Sequence, residues 1–227
     1  MPNNNPNLLI VRGNDAKAII SNYLTEKTID FQKIIPRPKE LDIEDNSFLE
    51  IGVSLIRYEH GFTDAFDRTR FRHTGKTDTE IYNELNKNSK YWEFGEIALR
   101  NIARYGHSSW YSWNLANWGT KWSAYQCSIL KNTKTEVRIL FDTAWSPPFP
   151  IFRKLVSFHP ELKLDVLYCD EGGCYLGSCL FHGKIEQDFQ YKGRKGNAFL
   201  AVLGHYSRKV HKYKRLTPHE RLFLYAE

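Results

Sequence analysis

Hydrophobic positions along this chain follow two rhythms, and their order predicts most of the elements. "NLLIVRG" (Asn7 to Gly13) is a short apolar run closed by glycine, as in a buried strand. In the following "NDAKAIISNYLTEK", Ala16, Ile19, Ile20, Tyr23 and Leu24 recur at helical spacing, with Asn14 or Asp15 placed to cap them. A strand leading directly into a helix is expected. "IIPRPKEL" ends that pattern, because proline and the residue before it resist helix.

Residues 42–76 are polar and weakly periodic, with glycines at 52, 61 and 75, and read as loop with short elements. Thr77 and Glu80 have capping-box spacing and predict a helix start. A further helix is predicted from about Trp92 to Tyr105, with Phe94, Ile97, Ala98, Ile102 and Tyr105 on one face and Gly106 at its end. A short one is expected from Ser109 to Ala116. Between roughly 36 and 118 the chain therefore reads as a mostly helical insertion.

Strand patterns return at "SAYQCSIL" (Ser123 to Leu130) and "EVRILFD" (Glu136 to Asp142), with "KNTKT" between them as hairpin loop. A helix over about Pro148 to Phe158 follows, prolines being tolerated in a first turn, then two strands, "KLDVLYC" and "CYLGSCLFH", joined across "DEGG". Without the insertion the order is βαββαβ plus one extra hairpin strand. This is an α+β, ferredoxin-like sandwich: an antiparallel sheet with both helices on one face. The expected organisation is 1–35 as the first half of the core, 36–118 as the insertion, 119–189 as the second half, and 190–227 as a C-terminal extension.

Charge changes the picture only at that extension. Residues 190–227 hold nine Lys/Arg against Glu220 and Glu227, while the rest of the chain is close to neutral, so the whole net charge of +6 resides there. From Ala198 onward Phe199, Val202, Leu203, Tyr206 and Val210 keep helical spacing, with His205, Arg208, Lys209 and Lys212 on the other side. A basic amphipathic helix suits nucleic acid, an acidic protein or a membrane face, and a helix docked on the body with solvated lysines fits the pattern equally well. "MPNNNPNLLIV" lacks a basic n-region followed by an apolar run, and no later stretch approaches ~20 apolar residues, so a cytoplasmic, non-membrane protein is expected. Four cysteines in such a chain predict reduced thiols. Cys169, Cys174, Cys179 and His182 are spaced poorly for zinc, and neither metal nor cofactor is expected.

Tryptophan is the other anomaly: Trp110, Trp113, Trp118 and Trp122 fall within thirteen residues. If "KNTKT" is the turn and Leu130 faces Glu136, then Trp122 faces Ala144 and Lys121 faces Trp145. Taking the first and third strands as parallel neighbours brings "RGNDA" to the same end. A rim of Arg12, Asn14, Asn117, Trp118, Lys121, Trp122, Asp142 and Trp145 is then expected, able to stack and hydrogen-bond a base. Packing competes with that use, since large aromatics are buried on average. Trp110, Trp113 and Trp122 are expected to fill the junction between insertion and sheet, and Trp118 and Trp145 to be exposed. Asp142 beside Lys121 would make a partly buried ion pair.

"NWGTKWSAY", "FDTAWSPPFPI", the "EGG" hairpin and the start through "IIPRPKEL" resemble the YubB ferredoxin-like family of plasmids, phages and other mobile elements. "GEIALRNIARYGHSSWYSW" looks like the helical insertion of its phage members. The resemblance covers roughly residues 1–185. It implies the same fold and a mobile-element origin, and it brings no catalytic residues. No P-loop, GxSxG, HExxH or GxGxxG occurs; His60, His73 and His107 sit in or beside the insertion, and "RYEHGFTDAFDRTRFRH" reads as solvated polar loop.

The expected function is a non-catalytic accessory protein that binds nucleic acid or a host nucleoprotein complex through the rim and through Arg194, Lys195, Arg208, Lys209, Lys212, Lys214 and Arg215. One alternative is a protein-binding effector that inhibits a host defence system, with Trp and Tyr as anchors. The other is a nucleic-acid-processing enzyme using the His/Asp/Glu-rich insertion.

Overall fold

The computed structural model describes residues 3–26, 28–63, 65–67, 74–170 and 175–192. Two compact units are formed, one by Met1–Pro36 with Asn114–Glu227 and the other by Arg37–Trp113.

The first unit is built on a six-stranded sheet of order β2-β3-β1-β4-β5-β6, antiparallel throughout. Its strands are β1 (Asn4–Arg12), β2 (Tyr125–Thr133), β3 (Glu136–Ala144), β4 (Lys163–Cys169), β5 (Tyr175–His182) and β6 (Ile185–Lys192). Among the described residues two α-helices link these strands, α1 (Ala16–Ser21) between β1 and β2, and α6 (Phe149–Phe158) between β3 and β4. The turn after α1 meets the end of α6, where the Tyr23 hydroxyl lies 2.8 Å from His159 Nε2. Both helices therefore share a side of the sheet. On it Phe149 and Phe152 of α6 meet Phe141, Tyr168 and Phe181 at ring-centroid distances of 5.3–6.5 Å.

Tyr168 reaches across β5 to donate a 2.6 Å hydrogen bond to Asp188 on β6. Its ring passes where a side chain at position 177 would stand, since a Cβ built on Gly177 would meet the ring at 2.2 Å. Burial, then the Asp188 contact, pushes the Tyr168 hydroxyl well above its usual range.

Four expectations about this unit are corrected. The first and third strands are adjacent but antiparallel: Asn4 pairs with Ala144 and Arg12 with Glu136. The crossover through α1 makes β1 parallel to β2, and the β2–β3 hairpin then reverses β3 against β1. The hairpin loop is two residues, Lys134 and Thr135, because Thr133 rather than Leu130 faces Glu136. Two bulges in β2 return most of that slip, so Tyr125 faces Asp142. Helix α1 has six residues and Asp15 at its N-cap makes no side-chain capping bond. Finally, the sheet gains two strands beyond βαββαβ, since Gly183 at φ +57 turns β5 into β6 across two residues.

The second unit contains, among the described residues, α2 (Ser47–Glu59), α3 (Asp78–Leu85) and α4 (Ser89–Tyr105). Thr77 and Glu80 form the reciprocal capping box at α3, and Gly106 closes α4 in the left-handed conformation at φ +75. Helix α2, at thirteen residues, corrects the reading of residues 42–76 as loop with short elements. Gly52 is a helix contact there: a Cβ at 52 would stand 2.0 Å from the Tyr91 carbonyl, and one at Gly95 would strike Gly52. Glycine lets the backbones of α2 and α4 touch. Helix α5 (Trp110–Asn117) spans the boundary between the units.

Candidate functional site: a tryptophan rim at one end of the sheet

The loop after α5 alternates inward and outward residues. Trp118 turns in, 3% exposed, donating its indole N–H to the Ile35 carbonyl at 2.9 Å and packing edge-on against Phe31. Gly119, at φ +76, follows with Pro150 close above it. Thr120 is buried and stitches the loop to β3: its hydroxyl donates to the Ala144 carbonyl at 2.8 Å and accepts from the Ala144 N–H at 3.1 Å. The Asn114 amide donates to the Lys121 carbonyl at 2.8 Å. Held from below at these points, the loop presents Lys121 and Trp122 outward.

Trp145 arrives from the other side. It is 39% exposed, Trp122 is 38%, and the Lys121 ammonium lies 4.8 Å from the Trp122 ring and 5.4 Å from the Trp145 ring. Two indoles thus flank one cation within cation–π range. Trp145 has φ +73, a conformation bulky residues rarely adopt. Its backbone is pinned at both groups: the N–H donates to the Asn3 carbonyl at 2.9 Å, and the carbonyl accepts from the Tyr175 hydroxyl at 2.8 Å. Tyr175 is fixed in turn by the amide of fully buried Asn5, which donates to its hydroxyl at 2.8 Å and to the Cys169 carbonyl at 2.7 Å. Strands β1 and β5 both hold the strained residue, as expected where strain serves a site.

The expected rim is therefore met in part. Lys121, Trp122 and Trp145 come together, with Asn117 half-buried at the end of α5 just before the loop. Asp142 faces Tyr125 on β2. Trp118 and Trp122 exchange the roles expected of them, Trp118 being core and Trp122 surface. Trp113 is buried and Trp110 half-buried, edge-on to Tyr111.

Arg12 and Asn14 belong elsewhere. Antiparallel pairing puts Arg12 at the opposite end of β1, about 27 Å from the rim at ~3.4 Å per residue. There its guanidinium bonds Glu136 at 3.1 Å and also Asp165, while Asn14 is exposed just before α1. Burial pushes the Glu136 carboxyl up, but hydrogen bonds from Lys131, Arg138 and Arg12 overrule it and hold it at about 2. These cations are committed to a structural network. The polar residues that strand polarity does bring to the rim, Asn3, Asn5 and Tyr175, were missed. Knowing that β1 runs against β3 would have found them.

Cys169 and Cys179 project from opposite faces of the sheet, because Cys169 pairs with Leu176 and Cys179 with Val166, in the same hairpin but at odd separation. They cannot share one ion. Burial, then Asp188 and Glu186, pushes the Cys179 thiol up to about 12, which suits an inert core thiol. Among the described residues no three His, Cys, Asp or Glu side chains cluster to hold a metal, and no helix is long and apolar enough to cross a membrane. Cys174, His73 and the basic residues Arg194, Lys195, Arg208, Lys209, Lys212, Lys214 and Arg215 lie outside the described residues.

Residues 120–195 match a family model described as a ferredoxin-like domain in Api92-like protein. The matched segment starts at the rim loop and takes in β2, β3, α6, β4, β5 and β6. The chain is also similar to the crystal structure of a protein Api92 from Yersinia pseudotuberculosis, at 10% identity and a TM-score of 0.45, with 85% of this chain and 99% of that chain covered. No curated protein matches. The first unit is a ferredoxin-like α+β domain with an antiparallel six-stranded sheet.

Proposed function

We propose that this chain is a non-catalytic accessory protein of a phage or plasmid, cytoplasmic and of the YubB group within the Api92-like proteins, that binds nucleic acid alone or in a host nucleoprotein complex. The observation that carries the reading is the arrangement of Trp122, Lys121 and Trp145: two indoles more than a third exposed, one on a strained and doubly pinned backbone, flanking a cation. Such a surface offers bases a π-face and phosphate a positive charge, and the combination tolerates any sequence. Single-stranded nucleic acid fits it best, because its bases are free to leave the stack. The basic residues of 190–227 add a sequence-independent attraction.

The test is fluorescence anisotropy of a labelled single-stranded oligonucleotide at two salt concentrations. Binding that weakens steeply with salt, and that falls when both indoles are replaced by alanine, supports the reading. Affinity insensitive to salt, or absent for both DNA and RNA, overturns it. In that case the exposed indoles fit the alternative of a protein-binding effector of host defence, since tryptophans anchor protein interfaces.

A further inference from the structure

The two edge strands of the sheet, β2 and β6, are built differently. Strand β2 carries two bulges, a residue at positive φ in Gln126 and the exposed Lys131, devices by which natural proteins keep an edge from pairing. Strand β6 pairs with β5 over eight consecutive residues without a shift. Its residues Ile185 to Gln190 include neither lysine nor proline and are all exposed, Ile185 at 51% and Phe189 at 56%. Every second residue of such a strand turns its N–H and C=O away from the neighbour it already has. A regular, exposed edge with apolar side chains is a template for another strand. The two carboxylates of β6 do not oppose that use, because both lie on the α6 face and are engaged within the fold. Glu186 accepts two hydrogen bonds from Arg153 at 2.6 and 2.7 Å, and Asp188 accepts one from the Tyr168 hydroxyl. The other face of the strand carries Ile185, Gln187 and Phe189.

We propose that β6 pairs with β6 of a second copy of this chain, antiparallel about a two-fold axis through Phe189, joining two six-stranded sheets into one. Facing residues share a face of the sheet, so the axis must pass through a residue, and the sequence favours one choice. Centring on Phe189 sets that ring against its own copy, Asp188 against Gln190, and Glu186 against position 192, a lysine. No two carboxylates meet, and the charged pair occurs twice by symmetry. Centring one residue earlier sets Asp188 against itself, and two residues earlier sets Glu186 against Asp188. Centring one residue later leaves Glu186 beyond the contact and shortens it. The axis also reverses strand direction, so the Trp122 and Trp145 rims of the two copies stand at opposite ends of the joined sheet. The pairing holds whatever binds the rim.

The test uses the full chain without nucleic acid. Phe189→Cys is expected to form an intermolecular disulfide under mild oxidation, located by mass mapping, because facing Cα atoms of paired strands lie about 4.5–5.5 Å apart, within disulfide reach. Gln187→Cys stands four residues from its copy in this register, about 14 Å along the strand, and is expected not to cross-link. Equal cross-linking at both positions, or cross-linking of Ile129→Cys on β2 in place of Phe189→Cys, overturns the proposal. Sedimentation equilibrium gives a second readout. One strand pair falls short of the ~1,200 Å² of a standard interface, so a reversible dimer that builds up with concentration, to about 1 mM, is expected. Phe189→Lys is expected to abolish it while the far-ultraviolet circular dichroism stays unchanged, the ring being more than half exposed in the single copy. A chain that stays monomeric throughout, or a dimer that Phe189→Lys leaves intact, contradicts the pairing.

Discussion

The two ends of the sheet set their cations beside different neighbours, carboxylates at one and indole faces at the other. At one end Arg12 and Arg138 sit among Glu136 and Asp165, carboxylates with side chains only 11–14% exposed, and every charge is answered within the fold. At the other end Lys121 lies beside the faces of two exposed indoles, and the polar effort beneath is spent on backbone: Thr120 on Ala144, Asn114 on Lys121, Tyr175 and Asn3 on Trp145. A cation embedded among carboxylates stabilises the fold and is lost to any ligand. A lysine beside two exposed π-faces sets positive charge and ring surface side by side. Under the proposed reading, the end with charge beside an aromatic pair is the one that meets a partner.

Variants at the two ends should separate binding from stability. The largest effect is expected for Trp122→Ala combined with Trp145→Ala. At ~1–3 kcal/mol per stacked base, oligonucleotide affinity should fall about a hundredfold, and thermal unfolding should move by less than about 2 °C because both rings are already partly in water. Comparable losses of affinity and of folding would show that the indoles act as core. At the opposite end, Arg12→Ala leaves Glu136 and Asp165 without a shared partner. Its guanidinium is about a third exposed, which discounts the cost to about 1–2 kcal/mol in denaturant unfolding. Oligonucleotide binding by Arg12→Ala should equal that of wild type.

Lys121→Met comes next, with affinity falling by up to about tenfold and the slope of log affinity against log salt becoming shallower by about one. A slope that does not move would assign Lys121 to positioning the indoles. A last test concerns pH. Glu136 is held at about 2, below its ordinary 4.5, so its network contributes fully above about pH 4.5 and is lost as pH falls from there toward 2. Urea midpoints measured across that window should drop more in wild type than in Glu136→Gln, and equal slopes would mean the network is not what titrates.

How much of this was legible in the sequence depended on how local each feature is. Capping by Thr77 and Glu80, the Gly106 stop and the alternation in Val137, Ile139 and Phe141 are encoded within a few residues and could be read directly. Gly52 could not, because glycine's helix penalty is visible in sequence while the α4 backbone that makes it necessary is not. The β2–β3 register was misplaced by three residues at the turn, yet Lys121 and Trp145 still meet, since bulges in β2 absorb most of the slip before the rim.

The rim's membership failed on strand direction, a global property. One wrong polarity moved Arg12 and Asn14 in and left Asn3, Asn5 and Tyr175 out. Trp118 and Trp122 differ in what lies beneath them: the Ile35 carbonyl receives the Trp118 indole N–H and Phe31 packs against its ring, holding it inward. Four residues along, Trp122 is left at the surface. Side-chain direction in an irregular loop is decided by such partners rather than by periodicity.

Quenching of intrinsic tryptophan fluorescence by a single-stranded homopolymer tests the central claim most directly. In wild type the oligonucleotide should quench a substantial part of the emission, saturably and reversibly with added salt, and the Trp122→Ala/Trp145→Ala variant should show much less, Trp113 and Trp118 being buried and Trp92 and Trp110 half-buried. Equal quenching in both proteins, or a wild-type spectrum unmoved by oligonucleotide, would contradict a role for these two rings as the stacking surface.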